Sequence, residues 1–337
     1  PRDIQAKARA AVAHLEQWRA EGRDVSAILP RMRRVKTLGD AGRLAEADAL
    51  LDEILAWFAN EDGTATGLFG DDRVVRIVGY EGDAMEPFVS RDGRYLFFNS
   101  AGGPRSKDIF LAERIDDASF RFLGPLEGVN SDAVDGVPTM DRDGRFYFVS
   151  TRAYGPESLA TVYGGRFTGG RVVDIRPHPE LAQGEFGWLN MDVEISADGN
   201  TLYATQTWFG DGAPPTRSRF FHARREGDRF IPQADSKAIF GALNGTGIVY
   251  AAALSADETE IFFTRLAPAG KPGPRLATMR AVRPDRTAPF GPPEIVAAIT
   301  GIAEAPTLGE GGRLLYYHKK KGPDGPFEIH VLSRRGD

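Results

Sequence analysis

The sequence predicts an all-β fold, namely a five-bladed β-propeller with a short N-terminal α-helical segment. A strand–turn–strand motif occurs five times along the chain. The 337 residues include 39 glycines and 22 prolines, a composition that suits many tight turns. Apolar residues at helical spacing are confined to the first part of the chain, which therefore forms a separate helical segment.

The repeated motif determines the predicted number of blades. Its five copies span residues 86–100, 137–151, 192–206, 251–265 and 305–319. Their turns lie 51 to 59 residues apart, a spacing typical of one four-stranded blade with variable loops. In the first three copies Gly93, Gly144 and Gly199 follow an aspartate, so we expect positive φ angles there. Each turn leads into an aromatic-rich strand such as 95–98, whose consecutive apolar residues indicate that both faces are covered.

The last repeat lacks a fourth strand. The run 73–78, RVVRIV, precedes the first repeat and has no partner of its own. We therefore expect residues 72–80 to be the outer strand of the fifth blade, because closure of the ring removes exposed sheet edges. The predicted division is a helical segment over 1–60, a linker over 61–71 and the propeller over 72–337.

The helical segment allows two interpretations. Ile4, Ala8, Leu15 and Trp18 form one amphipathic stripe, and a later stripe ends at Leu55 and Phe58. The segment is either a small cap that packs on the propeller or an arm that binds a protein partner.

The repeat resembles that of a known family. The pattern x-P-x-x-S-x-D-G-x-x-L/I-x-F, present over 86–98 and 137–149, is similar to the TolB-type propeller repeat. The resemblance covers residues 72–337. It implies a periplasmic or secreted protein that binds a small molecule, a glycan or a peptide, although a few such propellers are enzymes. A chain that starts at Pro1 rather than methionine fits a cleaved export signal.

Composition excludes several classes of function. The net charge of −5 argues against a nucleic-acid partner, which requires a basic surface. The absence of cysteine excludes disulfides, thiolate metal sites and a cysteine nucleophile. No apolar run is long enough to predict a transmembrane segment. The pairs Gly164-Gly165 and Gly169-Gly170 are predicted to be hairpin turns.

Carboxylates recur in the connections that precede the repeats, at the face of a propeller where ligands usually bind. Glu86, Asp135 and Asp192 are the candidate catalytic residues because they begin the first strands of three consecutive blades. A further set of polar and aromatic residues lies in the same connections and is expected to bind a ligand: Asp83, Asp132, Trp188, Asn190, Glu194, Tyr250 and Glu304.

Three functions remain open from the sequence. The first is ligand binding at the axial face without catalysis. The second is glycoside hydrolysis, in which two carboxylates flank the scissile bond. The third is a protein-interaction scaffold that uses the helical segment. Ca²⁺ is the only cofactor the acids suggest, since hard cations prefer carboxylate and carbonyl oxygens.

Overall fold

The computed structural model describes residues 2–20, 25–26, 28–48, 50–51, 54, 65–102, 107–182, 184–267, 276–322 and 325–336. Five mainly antiparallel sheets follow one another along the chain. The innermost strand of each sheet contacts that of the next, and the fifth contacts the first. The prediction of a five-bladed β-propeller is therefore confirmed.

Each blade has four principal strands, written here from the axis outward. The first three blades are β4 (Met85–Val89), β5 (Tyr95–Asn99), β6 (Ile109–Asp116) and β7 (Ser119–Pro125); β8 (Asp135–Met140), β9 (Arg145–Ser150), β10 (Val162–Thr168) and β11 (Arg171–Pro177); and β12 (Trp188–Ile195), β13 (Thr201–Trp208), β14 (Arg217–Glu226) and β15 (Arg229–Pro232). The last two are β16 (Ile248–Leu254), β17 (Glu260–Leu266), β18 (Leu276–Val282) and β19 (Glu294–Val296); and β20 (Ala303–Gly309), β21 (Leu314–Lys320), β22 (Phe327–Arg334) and β2 (Phe69–Val74).

Residues 65–78, which precede the first repeat, add strands to three different blades. β2 pairs antiparallel with β22 and completes the fifth blade. β3 (Arg76–Val78) instead pairs parallel with β7 of the first blade, and β1 (Ala65–Thr66) pairs parallel with β19 of the fourth. The assignment of all of 72–80 to the fifth blade was therefore wrong in its second half. The chain changes blade at Val75, whose N–H bonds to Ile329 O, whereas the N–H of Arg76 bonds to Ala118 O.

The helical segment builds its own small core. α1 (Arg2–Ala20) and α2 (Leu29–Asp40) are followed by further helical residues at 44–48. Leu15 and Trp18 of α1 pack with Ile28, Leu51 and Ile54. Leu55 and Phe58 of the predicted later stripe lie outside the described residues. Two short helices, α3 (Ser236–Ile239) and α4 (Gly241–Asn244), connect the third blade to the fourth. Within the described residues, no helix is long and apolar enough to cross a membrane.

The turn glycines adopt the predicted conformation. Gly93, Gly144 and Gly199 have φ values of 74°, 80° and 73°. In the first turn Ser90 Oγ donates to Asp92 Oδ1 at 2.5 Å, and Asp92 Oδ1 accepts the N–H of Arg94 at 3.0 Å. The side chains thus satisfy the turn backbone, and glycine supplies the left-handed residue.

Replacing a turn glycine tests this conformation. We expect Gly144→Val to lower the free energy of unfolding by about 1–3 kcal/mol, because a β-branched residue is strained at positive φ. A Cβ there would also lie 3.1 Å from Phe167 O. The measurement is a urea melt, with Gly155→Val as the control because Gly155 has open space and no positive φ. Equal midpoints for the two variants would contradict the strain argument.

Of the two glycine pairs predicted to form hairpin turns, one forms a turn and the other does not. Gly169 and Gly170 form a hairpin turn with φ values of 58° and 85°. Gly164 and Gly165 lie instead inside β10. A Cβ on Gly164 would lie 2.6 Å from His178 Nε2, so glycine is needed there for a close approach rather than for a turn.

Candidate functional site

A pocket of about 230 Å³ lies around the axis and receives residues from all five blades. Its walls are partly apolar and include Val134, Val149, Leu189 and Phe209. Eight lining residues have polar side chains: Glu86, Lys107, Thr151, Asn190, Asp192, Tyr250, Glu304 and His318. We call this cavity the axial pocket.

Bulges in the innermost strands position the pocket residues. The residues at the first position of four repeats, Glu86, Val137, Ala251 and Ala305, have φ values of 49°, 55°, 53° and 54°. Register shifts occur at each of these positions. A non-glycine residue in this region is strained unless its surroundings hold it. Asp192 is the corresponding residue of the third blade, where a register shift also occurs.

Side chains of the preceding blade hold three of these bulges. The N–H of Glu86 donates to His318 Nδ1 at 3.0 Å, and the N–H of Ala305 donates to Thr264 Oγ1 at 3.0 Å. The N–H of Val137 donates to Asn99 Oδ1 at 3.2 Å. The three acceptors occupy the same position at the end of the second strand of their repeats. This recurrent contact joins adjacent blades and fixes where the pocket residues lie.

Glu86 is held as a carboxylate. Its Oε1 lies 2.6 Å from Lys107 Nζ, and both side chains are less than one-fifth exposed. Burial alone would raise the pKa of Glu86, but the charge and hydrogen bond of Lys107 outweigh it and lower the pKa below its usual value.

Asp192 has the opposite electrostatic environment. Its residue is 5% exposed. Burial, together with the nearby charges of Glu86 and Glu304, raises the pKa of Asp192 to about 7, although a hydrogen bond from the N–H of Ala251 opposes the shift. Near neutral pH Glu86 is thus ionised, whereas the Asp192 carboxyl titrates.

A tyrosine and a glutamate form the third polar element. Tyr250 donates its hydroxyl hydrogen to the carboxylate of Glu304. Burial and the charge of Glu304 both raise the pKa of Tyr250. Burial also raises the pKa of Glu304, against the effect of the Tyr250 hydrogen bond. The phenol therefore stays protonated and orients this carboxyl group.

His318 is neutral and directs a proton into the pocket. It is 1% exposed, and burial lowers its pKa to about 4 despite the nearby charge of Glu86. Since Nδ1 accepts the N–H of Glu86, the ring proton resides on Nε2. His318 was not selected from the sequence, because none of the five histidines has a second histidine at metal-ligand spacing. Alignment of the repeats could have found it, since it occupies the position of Asn99 and Thr264.

Four buried polar atoms of the lining have no hydrogen-bond partner. They are Glu86 Oε2, Asn190 Oδ1, Asp192 Oδ2 and His318 Nε2, and the last three belong to residues at most 5% exposed. Buried polar groups are nearly always hydrogen-bonded to protein, water or ligand. The axial pocket therefore offers three acceptors and one donor to a molecule that enters it.

Of the three candidate catalytic residues, the structure brings Glu86 and Asp192 together and places Asp135 elsewhere. Asp135 is fully buried and does not line the axial pocket. Its Oδ1 lies 2.7 Å from Arg152 Nη2. Its Oδ2 accepts the N–H and the hydroxyl of Ser131 at 2.6 and 2.7 Å. These contacts saturate the carboxylate and hold the loop before β8.

The candidate ligand-binding residues divide in the same way. Asn190, Tyr250 and Glu304 line the axial pocket. Glu194 lines a narrower part of the channel, where it pairs with Arg91 at 2.8 Å and accepts a hydrogen bond from Thr139 at 2.6 Å.

The remaining three lie outside the lining. Asp83 Oδ1 accepts the N–H of Phe327 at 2.7 Å, and Asp132 is exposed. Trp188 packs on Trp208 with ring centroids 5.3 Å apart, and Arg217 lies over both rings. Trp188 thus anchors the loops of the third blade.

Lys107 was also missed by sequence reasoning, because it lies in a loop between strands where no periodicity marks it. Within the described residues, no group of three or more histidine, aspartate or glutamate side chains is arranged to hold a metal ion. The Ca²⁺ hypothesis therefore has no cluster of three acidic ligands in that part of the chain.

Comparisons with known proteins concern the fold. No protein-family model matches the sequence, and no curated protein matches it. A structure described as a glycoside hydrolase has a TM-score of 0.55 at 10% identity, with 84% of this chain and 95% of that chain covered. A family 117 glycoside hydrolase of the marine bacterium Zobellia galactanivorans has a TM-score of 0.52 at 11% identity, covering 79% and 90% of the two chains.

TolB from Acinetobacter baumannii is similar at 16% identity with a TM-score of 0.41. The match covers 76% of this chain and only 56% of the TolB chain. Together with the five cyclic sheets, the two glycoside hydrolase structures establish that this chain has a β-propeller fold.

Proposed function

We propose that the axial pocket binds a small polyhydroxylated ligand, namely one residue of a carbohydrate. The observation that carries this proposal is the set of unpartnered lining atoms, namely Glu86 Oε2, Asn190 Oδ1, Asp192 Oδ2 and His318 Nε2. A hydroxyl both donates and accepts, so one sugar ring can satisfy three acceptors and a donor at once.

The size and walls of the pocket support a single ring. Its volume of about 230 Å³ is below the roughly 300–1,000 Å³ of pockets for drug-sized ligands. Val149, Leu189 and Phe209 offer apolar contacts to the C–H groups of a sugar, while the acids and His318 face its hydroxyls. The glycoside hydrolases among the structural neighbours favour the same ligand class, by analogy of fold.

Direct titration tests the binding proposal. We expect at least one of glucose, galactose, xylose and arabinose to bind the protein by calorimetry. Asn190→Ala should weaken that binding about tenfold or more through loss of a buried acceptor. The control is Asp132→Asn, because Asp132 is exposed and outside the lining. If no sugar binds, or if both variants bind like the original protein, the proposal is wrong.

Hydrolysis of a glycosidic bond is the second candidate, favoured by the opposite pKa shifts of Glu86 and Asp192. When the surroundings shift the pKa values of two neighbouring carboxyls in opposite directions, one can act as the acid and the other as the base. The Asp192 carboxyl would donate its proton to the leaving-group oxygen. The Glu86 carboxylate would act as nucleophile, or take a proton from the water that attacks the anomeric carbon.

The pH dependence of turnover tests this second candidate. Because Asp192 must be protonated and its pKa is about 7, cleavage of an aryl glycoside should fall about tenfold per pH unit above pH 7. Glu86→Gln should abolish turnover at every pH. If the protein binds sugars but cleaves no aryl glycoside at any protein concentration, hydrolysis is rejected and the binding function stands.

The cellular location of the protein is part of the proposal. The resemblance of the repeats to the TolB type supports a periplasmic or secreted protein. Cell fractionation of the tagged full-length gene product tests this, and recovery with cytoplasmic markers alone would contradict it.

The helical segment, which has its own core, is the candidate surface for a protein partner.

A further inference from the structure

An exposed aromatic side chain lies in the loop before β12, three residues before Leu189 of the pocket wall. Phe186 is 55% exposed and is the one aromatic ring that the described part of the chain leaves mostly open to solvent. The other exposed large apolar residues in that part are aliphatic. Single exposed apolar residues are ordinary, so the surroundings of Phe186 decide its meaning.

The ring is supported from beneath. Phe186 stacks on Tyr154, with ring centroids 5.3 Å apart and an angle of 20° between the planes. The Tyr154 hydroxyl accepts the N–H of Gly187 at 2.8 Å and donates to Trp188 O at 3.2 Å. Tyr154 is thus fixed at its polar end, and one face of Phe186 is covered while the other remains free.

Backbone contacts connect this ring to the pocket wall. Gly187, the next residue, accepts at its carbonyl the N–H of Phe209 at 2.8 Å, and Phe209 lines the axial pocket. Gly187 has a φ of 111°, and a Cβ there would lie 2.9 Å from the Trp208 ring. Leu189, two residues further in β12, also lines the pocket. The loop that carries Phe186 therefore continues directly into the wall.

We propose that Phe186 stacks on the second sugar of an oligosaccharide whose first sugar occupies the axial pocket. This inference rests on the proposed function and extends it from a single ring to a chain of at least two sugars. The pocket accepts one ring by volume, so further sugars must lie outside it. A sugar presents a flat apolar face of C–H groups, and a rigid aromatic face is suited to cover it at little entropic cost.

The alternative is that Phe186 only seals the loop. In that case its removal would affect the melting temperature and would change binding of long and short sugars equally. A stacking platform acts differently, because it contributes only when a second sugar is present. Ligand length therefore separates the two roles.

The experiment uses glucose, galactose, xylose and arabinose, each with its homodisaccharide, and measures dissociation constants by calorimetry with the full chain. We expect the disaccharide of the preferred sugar to bind three- to tenfold more tightly than the monosaccharide. Phe186→Ala should remove that gain and leave the monosaccharide unchanged, and Phe186→Trp should restore it. Ile231→Ala is the matched control, since Ile231 is 37% exposed on the outer strand of the third blade.

The outcomes separate the two proposals. Monosaccharide binding without a gain for the disaccharide would overturn the stacking role and leave the pocket function intact. Equal losses for both ligands in Phe186→Ala would also overturn it. Absence of binding by every sugar would reject the pocket function and the stacking role together.

Discussion

Asp192→Asn is expected to raise the stability of the protein above pH 7 while it weakens ligand binding. Asp192 is buried, and its pKa is about 7 against an ordinary value of 3.8. Between pH 4 and 7 the folded state therefore keeps a proton on this carboxyl that the unfolded state has already lost. The stabilisation from this group is fully present below pH 4 and is lost as the pH rises to 7.

The side chain at this position does not titrate in Asp192→Asn. The free energy of unfolding of the variant should therefore exceed that of the original protein by a margin that grows as the pH rises from 4 to 7. At pH 8 we expect Asp192→Asn to be more stable by on the order of 1–3 kcal/mol, measured by urea melts between pH 4 and 8. The same change replaces the Asp192 Oδ2 acceptor by an amide donor, so sugar binding should weaken at least tenfold. A residue built for function is expected to show this trade-off.

Asp135→Asn provides the contrast. Asp135 is paired with Arg152 and Ser131, so its replacement should lower the free energy of unfolding by about 1–3 kcal/mol. It should leave sugar binding unchanged. If Asp192→Asn destabilises the protein at pH 8 as Asp135→Asn does, Asp192 is a structural residue.

Removal of β2 is expected to open the ring. A chain that begins at residue 65 keeps β2 and should remain a folded monomer, because the helical segment has a separate core. A chain that begins at residue 76 lacks Phe69, which is 1% exposed and packs on Phe262 at 5.7 Å. It also leaves the edge of β22 unpaired, and an open edge promotes association.

Size-exclusion chromatography and thermal melts measure this difference. The shorter chain should melt at a clearly lower temperature and elute as oligomers or aggregates. The chain that begins at residue 65 serves as its control. If the two truncated chains melt alike and both elute as monomers, strand β2 is not required for closure.

The repeats carried most of the information about the fold. Their turn chemistry is local, so Asp92 and Gly93 could be recognised from adjacent residues alone. The division of residues 69–78 between two blades could not, because it depends on which carbonyl each N–H reaches. Val75 and Arg76 are neighbours in sequence, yet bond to strands of different blades.

The candidate site was only partly visible in the sequence. Glu86 and Asp192 share a repeat position, and ring geometry brings that position to the axis. Asp135 lies two residues before the same position and turns to Arg152 instead. His318 and Lys107 come from a second strand and a loop, so their approach to Glu86 follows from packing between and within blades.

A crystal structure of the protein with its preferred monosaccharide tests the central claim most directly. We predict electron density for one sugar ring in the axial pocket, with hydroxyls within about 3.2 Å of Asn190 Oδ1, Asp192 Oδ2 and His318 Nε2. Density for the sugar at another surface, with ordered water alone bonded to these three atoms, would contradict the account.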